Sequence, residues 1–311
     1  MIPTYNPSPN FLREALSGVL ASNISRQDMQ ICIVDDASSA DFPYQLIKSL
    51  AGDRIELVRL PTNGGLAATW NQCIGLARGR WVHILHQDDI VLPGFYEKLL
   101  GLLERNPDAG AAFSRHAFVR ADGHWQAISE LHQTTAGPLD DQVRKIFSLQ
   151  IIHCPAIVVA AQTYHDLGGF DRRFSHALDW EMWMRITAKR TMLFEPSILA
   201  GYRVHDGSTT ARQTEKAENF LDIGRVIRHG SSYLPSNMRS SIMNRALSYY
   251  AAVAFGEGWK NIWARNFEAA DAQLKAANAL NPLFFERLRI NLARLRLAEQ
   301  RLRFGPESTR D

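Results

Sequence analysis

NGGLAATWNQCIGLARGRWVHILHQDDIVLP, residues 63–93, is the stretch whose reading decides the fold. At its centre the apolar run Trp81-Val82-His83-Ile84-Leu85 has the character of a buried strand. It passes directly into His86-Gln87-Asp88-Asp89, so two adjacent carboxylates stand at its end. Ionised carboxylates are costly to leave dry and unpaired, and these must reach water, a cation or a donor. Ligands of open α/β sheets bind outside the carboxyl ends of the strands, where this pair lies. Its hard oxygens suit Mg²⁺ or Mn²⁺ ions that also bridge substrate phosphates. Taken alone, the pair also reads as an Asp-Asp turn capping the next helix.

Strand and helix alternate on either side of this stretch. Met1-Ile2 end a strand, followed by the loop Pro3-Thr4-Tyr5-Asn6-Pro7-Ser8-Pro9-Asn10 and a helix with the apolar stripe Leu12, Ala15, Leu16, Val19, Leu20. A short strand over residues 30–34 ends at Asp35-Asp36-Ala37-Ser38-Ser39. A helix, a strand over 55–60 and the loop Pro61-Thr62-Asn63-Gly64-Gly65 lead into a helix over 66–77. This βαβ rhythm predicts a parallel sheet with helices on both faces. Thr4 and Tyr5, Asp35 and Asp36, and Asp88 and Asp89 follow three successive strands, so their loops are expected to converge on one edge. Asp35 reads as a residue that fixes its loop, and Gly64-Gly65 as a turn that starts a helix.

The rhythm breaks after residue 105. Strands are expected over 109–120, 153–159 and 193–200, a helix over 139–149, and helical spacing from Leu178 to Arg185. From about residue 213 the pattern is nearly continuous helix, with one hairpin like a tetratricopeptide unit, 237–257 paired with 259–280 and joined near Gly256-Glu257-Gly258. The last helix carries Arg287, Arg289, Arg294, Arg296, Arg301 and Arg303, which suit either a solvated face or an anionic membrane surface.

With 311 residues, 46% hydrophobic and 22% charged, the composition is that of a soluble globular protein of one or two domains. A formal net charge of +3 gives no argument for nucleic acid. Cys32, Cys73 and Cys154 lack metal spacing and read as buried thiols of a reducing compartment. The longest apolar run, 156–161, is far shorter than the ~20 residues a membrane span needs. No basic region and apolar segment open the chain, so it is expected in the cytoplasm, with membrane contact only from that side.

Pro3-Thr4-Tyr5-Asn6, Val34-Asp35-Asp36-Ala37-Ser38, Asn63-Gly64-Gly65, Asn71, Ala77-Arg78-Gly79, His86-Gln87-Asp88-Asp89 and Leu178-Asp179-Trp180-Glu181 occur in the order and spacing of family 2 glycosyltransferases. Residues 1–210 resemble that family. The resemblance implies an α/β GT-A fold, a Rossmann-like mixed sheet with helices on both faces, and here a C-terminal helical extension. The glycosyltransferase domain would cover 1–212, with a nucleotide-binding half (1–105) and an acceptor-side half (106–212), and the extension 213–311. It implies an inverting, metal-dependent enzyme that moves one sugar from a nucleotide-diphosphate sugar to a hydroxyl of a glycan or lipid-linked acceptor, in bacterial cell-surface polysaccharide assembly.

Residue by residue, the resemblance implies that Asp36 reads the nucleotide base edge and that Pro3, Thr4, Tyr5 and Asn63 line the nucleotide pocket. Asp89 would bind a divalent cation (Mg²⁺ or Mn²⁺), with Asp88 nearer the sugar and ribose, and Asp179 would be the catalytic base. His205 would close over the diphosphate or the metal. Leu178 stands where the family often has an acid, leaving Asp179 to act alone or with Glu181, and Trp70 replaces a common arginine. No Gln-x-x-Arg-Trp follows Asp179, which argues against a processive synthase. Acceptor specificity is expected between Arg115 and Leu149. Trp180 and Trp183 suit either the core or an acceptor platform. Two other readings stay open: a nucleotidyltransferase, which would want a Gly-rich, basic loop after the first strand, and a non-catalytic nucleotide-binding or scaffold protein.

Overall fold

The computed structural model describes residues 1–304 apart from 40, 206, 208–212, 215, 282 and 283, and leaves aside the side chains of 284–288 and 301–304. It divides into two compact units, Met1–His205 and Asp206–Asp311. The sequence pattern over 202–210 suggests a polar loop, but residues 202–204 are still strand; the rest of that stretch and the expected domain boundary at 212 fall mainly among residues outside this description.

In the first unit β1 (Ile2–Thr4), α1 (Pro9–Leu20), β2 (Ile31–Asp35), α2 (Tyr44–Ala51), β3 (Ile55–Arg59), α3 (Leu66–Leu76), β4 (Trp81–Val82) and β5 (Ile90–Val91) come first. Then follow α4 (Phe95–Arg105), β6 (Ala109–Arg120), β7 (Trp125–Ile128), β8 (Gly137–Pro138), α5 (Gln142–Ser148), β9 (Ile157–Ala160), α6 (Ala161–Leu167), α7 (Leu178–Thr187) and β10 (Thr191–Val204). β1, β2 and β3 form a parallel sheet in that order, as the βαβ rhythm predicts. A second sheet runs β4-β9-β6-β10-β5 and is mixed: β6 and β10 are parallel, while β9 is antiparallel to β4 and β6. The central sheet is therefore mixed, not uniformly parallel.

The strand predicted over 81–85 is shorter than its apolar run suggests. Only Trp81 and Val82 pair with β9, after which the chain turns to run beside Met1. There the Met1 nitrogen donates to the His83 carbonyl at 2.9 Å and the Leu85 N–H donates to the Met1 carbonyl at 3.0 Å. This alternating pattern is that of parallel neighbours. It brings residue 85 level with β1, so the loop 86–89 emerges at the same edge as Tyr5 and Asp36. The strand predicted over 153–159 begins instead as a 3₁₀ turn, Cys154–Ala156, because Pro155 lacks the N–H a strand ladder would use.

The core between the sheets and helices is apolar throughout. Leu12, Ala15, Leu16 and Val19 of α1 meet Ile31 and Ile33 of β2, Phe95 and Leu99 of α4, and Val158 of β9. Trp180 and Trp183 are fully buried, which gives both to the core and neither to an acceptor platform. Two polar clamps fix the loop between α6 and α7. The Asn71 amide donates to the Phe170 carbonyl (2.9 Å) and accepts from the Phe170 N–H (2.7 Å). Arg185 donates to the carbonyls of Leu167 and Gly169, both at 2.8 Å, while it pairs with Glu181.

The second unit contains α8 (Glu218–Gly230), α9 (Ser236–Trp263), α10 (Phe267–Leu280) and α11 (Phe284–Phe304). The expected hairpin is present, but its turn is displaced. α9 runs through Gly256 and Gly258 without a break, and the reversal comes at Ala264, Arg265 and Asn266, where the Asn266 side chain caps α10 by accepting from Ala269 N. Gly258 serves close packing: a Cβ there would sit 2.9 Å from Leu274 Cγ of α10. Among the described residues no helix is long and apolar enough to cross a membrane.

Replacing Asn71 with Leu leaves both backbone groups of Phe170 unpaired in a partly buried site, at a cost of about 1–3 kcal/mol. A lowered urea midpoint checks this; an unchanged midpoint would show that the clamp contributes nothing.

Candidate active site

Asp35 and Asp36 end β2 with different partners. Asp35 is fully buried; its carboxylate accepts from the Ser38 hydroxyl and, at 3.2 Å, from the Ser38 N–H, and Arg59 lies 3.5 Å away. It holds its own loop, as expected. The Asp36 carboxylate accepts the N–H groups of Gly64 (2.8 Å) and Gly65 (2.9 Å), and the Asn63 amide donates to the Asp36 carbonyl at 3.2 Å. Gly65, at φ 77°, then opens α3. Asp36 thus positions the glycine turn, and its oxygens keep lone pairs for a further donor.

At the end of β1, Pro3 and Thr4 are buried and Tyr5 is exposed. Gln87 ties this loop to the acidic one: the Tyr5 N–H donates to Gln87 Oε1 (2.8 Å) and Gln87 Nε2 donates to the Tyr5 carbonyl (3.2 Å). The three loops expected to converge are therefore linked by hydrogen bonds on one edge.

Asp88 and Asp89 differ in exposure and in partners. The Asp88 side chain is 21% exposed and His205 is 17% exposed, with His205 Nε2 3.0 Å from Asp88 Oδ2. Asp89 is 1% exposed, and its Oδ1 accepts the Arg203 N–H at 2.8 Å. His86 Nδ1 approaches Asp89 Oδ2 at 3.2 Å, the His86 ring stacks on Trp70 with centroids 4.9 Å apart, and neither Asp89 Oδ2 nor His86 Nε2 completes a hydrogen bond. Burial is the strongest single influence and works against an ionised Asp88, but the His205 hydrogen bond together with the nearby His86 and His205 rings outweighs it and holds that carboxyl below its usual range. Burial, with Asp88 alongside, pushes Asp89 up.

Ligand atoms from His86, Asp88 and Asp89 lie within 4.8 Å of one another, so this cluster could hold a metal ion. The donor set of carboxylates and imidazole, with two buried polar atoms lacking hydrogen bonds, fits a divalent cation. Within the cluster Asp89 is almost fully buried, with Oδ1 engaged by the Arg203 N–H and Oδ2 lacking a hydrogen bond, while Asp88 and His205 are partly exposed.

Asp179 lies in the first turn of α7 and is 8% exposed. Gln150 Nε2 donates to both of its oxygens, at 3.0 and 2.9 Å, and the Trp180 N–H donates to Oδ1 at 2.7 Å. Burial dominates these stabilising contacts and pushes its pKa up to about 6. His86 lies close enough to oppose that shift, which puts the carboxylate near the acidic loop. Glu181 is engaged by Arg185 at 2.8 Å and is a structural partner there.

Two residues that shape the site carry no signal in the sequence. Arg203, with a fully buried side chain, donates from Nε to the Asp88 carbonyl (2.7 Å) and from Nη1 to the Arg120 carbonyl (3.3 Å), pairs with Glu14 and lies 4.5 Å over the Phe11 ring. Gln150 holds the candidate base from a loop 29 residues away. Arg203 stands in the stretch that carries His205 and Gln150 in none, and neither residue reveals such contacts until the chain is folded.

The sequence profile of glycosyl transferase family 2 matches residues 1–159. An uncharacterized protein of Mycobacterium tuberculosis is 27% identical over 238 residues, 73% of each chain. An uncharacterized glycosyltransferase of Rickettsia felis is 25% identical over 214 residues, 66% of this chain but 34% of that protein. Among solved structures, Staphylococcus aureus TarS 1–349 in complex with UDP-GlcNAc superposes with a TM-score of 0.66 at 16% identity, covering 100% of this chain and 92% of that one. That likeness identifies the architecture as the GT-A fold. With the profile covering more than half of its length, the chain belongs to glycosyl transferase family 2.

Proposed function

We propose that the chain is an inverting transferase that moves a single sugar from a nucleotide-diphosphate sugar to a hydroxyl of a glycan or lipid-linked acceptor, in bacterial cell-surface polysaccharide assembly. The observation that carries this reading is the contrast between Asp88 and Asp179. One carboxyl is kept ionised beside His205, and the other is held near neutrality at the head of α7. Environments that push titratable groups apart in this way separate an electrostatic role from an acid–base role.

Tyr5, Pro3, Thr4, Asp36 and Asn63 form the nucleotide side in this reading, with TarS, solved with UDP and with UDP-GlcNAc, as the parallel. Asp88, Asp89 and His205 would hold a divalent cation, Mg²⁺ or Mn²⁺, with Asp89 offering an oxygen that lacks a hydrogen bond. When bound, the cation neutralises negative charge gathering on a leaving diphosphate. Asp179 takes the proton of the acceptor hydroxyl, which is a poor nucleophile at neutral pH. Attack from the face opposite the leaving group inverts the anomeric centre. The protein would work in the cytoplasm, peripheral to the membrane. Support for a membrane contact comes from exposed Arg294, Leu292 (53%) and Leu295 (66%) on α11.

Two outcomes test this. UDP with Mn²⁺ should raise the melting temperature of the wild-type chain, as any ligand that favours the folded state does. Asp88→Asn or His205→Ala should remove the Mn²⁺-dependent part of that rise and lower UDP release from a panel of UDP-sugars by roughly 100-fold. Equal behaviour of wild type and both variants would sink the cation assignment.

The second outcome is a pH profile. A base acts only when deprotonated, so turnover should fall as pH drops below the Asp179 pKa of about 6 and level off above it. Gln150 donates to the ionised carboxylate and favours it, so Gln150→Leu should move the acid limb upward. Asp179→Asn should abolish transfer. An acid limb unmoved by Gln150→Leu would mean that another group sets it.

A further inference from the structure

Four rings meet where β6 and β10 end, on the acceptor-side half of the first unit. Phe118 and Tyr202 are opposite each other in the β6–β10 register. Their centroids are 6.1 Å apart at near right angles. His153 lies 5.3 Å from Phe118 and 4.6 Å from Tyr202. His116 packs behind, 4.5 Å from His153 and 5.1 Å from Phe118. Phe118, His153 and Tyr202 are each partly exposed, whereas His116 is buried.

The cluster is joined to the chemistry on two sides. Tyr202 precedes Arg203, which carries the Asp88 carbonyl, and stands three residues before His205. His153 stands three residues after Gln150, whose amide holds Asp179, and His86 is near enough to oppose its protonation. The rings therefore stand beside the segments that carry the candidate cation ligands and the candidate base.

Both histidines carry unused hydrogen-bonding capacity. Neither nitrogen of His116 has a hydrogen-bond partner among the described residues, and Nδ1 of His153 has none. A buried polar atom left unpaired costs about 1–3 kcal/mol, so a native fold retains one where something else comes to fill it. Burial pushes His116 down to about 2 and His153 down to about 4, so both rings are neutral at physiological pH. A neutral imidazole offers one donor and one acceptor, the complement of a hydroxyl group, and aromatic faces suit the C–H face of a sugar ring.

We propose that Phe118, His153 and Tyr202, backed by His116, form the subsite for the acceptor's sugar ring, with the aromatic faces against its C–H face and the His153 imidazole binding its hydroxyls. This rests on the transferase reading above. It also assigns acceptor recognition to rings at two strand ends and the turn before β9, in place of Trp180 and Trp183.

The test uses the full chain labelled with ¹⁵N-histidine, in Mg²⁺, titrated separately with UDP and with methyl glycosides of glucose, galactose and N-acetylglucosamine. Ring ¹⁵N signals are assigned with His116→Phe and His153→Phe; His153 is partly exposed, so its variant carries the assignment alone if His116→Phe fails to fold. At least one glycoside should move the His116 and His153 signals saturably, and UDP alone should not. Tyr202→Leu should raise the half-saturating glycoside concentration by roughly tenfold, the scale of one lost aromatic contact. The proposal is overturned if no glycoside moves either ring, if UDP alone moves them equally, or if Tyr202→Leu leaves half-saturation unchanged. Failure of the transferase reading shows separately, as a wild-type chain that UDP and Mn²⁺ do not stabilise.

Discussion

The arrangement of the site depends on one buried guanidinium. An arginine has five N–H donors and cannot shed its charge, so its burial is tolerable only if acceptors converge on it. Around Arg203 they come from three directions: the Glu14 carboxylate on α1, the Arg120 carbonyl at the end of β6, and the Asp88 carbonyl in the loop after residue 85, with the Phe11 ring beneath. Its own N–H is taken by Asp89. One side chain thus sets the spacing between the acidic loop and the last turn of β10. His205, two residues on, meets Asp88 because Arg203 has already fixed both backbones. Removing one partner of such a group strands the other, so these contacts hold or fail together.

That anchoring explains why adjacent aspartates differ. Asp89 is buried against the backbone of β10, while Asp88 stays partly exposed beside His205. Asp89 satisfies the backbone of β10 and is pushed up by burial, whereas Asp88 keeps its charge through His205. The interior aspartate gives rigidity and the edge aspartate gives reach.

The loops, their convergence and the acids on them were legible in the sequence because they are local: apolar run, turn residues and carboxylate lie within a few positions of each other. The β1–β3 sheet followed from periodicity alone. What escaped the reading depends on distant partners. Arg203 contacts Glu14 across 189 residues and Asp88 across 115, and nothing near Arg203 announces either. The unequal burial of Asp88 and Asp89 was hidden for the same reason, since burial of one member of a pair is decided by the strand laid over it. Glycine misled in the second unit: Gly258 reads as a helix breaker, yet the close approach of Leu274 requires it inside an unbroken helix. The same residue type serves a turn or a tight contact, and only the neighbouring helix tells which.

The position of Asp179 at the head of α7 brings two opposed effects together. A helix N-terminus and donated hydrogen bonds favour a carboxylate, by about 0.3–2 kcal/mol for the helix end, while burial disfavours it. If the first effect prevailed, the carboxylate would be too weak a base to take a proton from a hydroxyl. If burial prevailed alone, it would stay protonated and could not act as a base at all. The Trp180 N–H and the Gln150 amide offset part of the burial cost, and the result is a pKa of about 6, ionised at neutral pH yet basic enough to share a proton. The fully buried Trp180 and Trp183 maintain that balance, because they keep α7 in the core and Asp179 at its rim. The tryptophans therefore bear on the candidate base from the core: they set how dry Asp179 is.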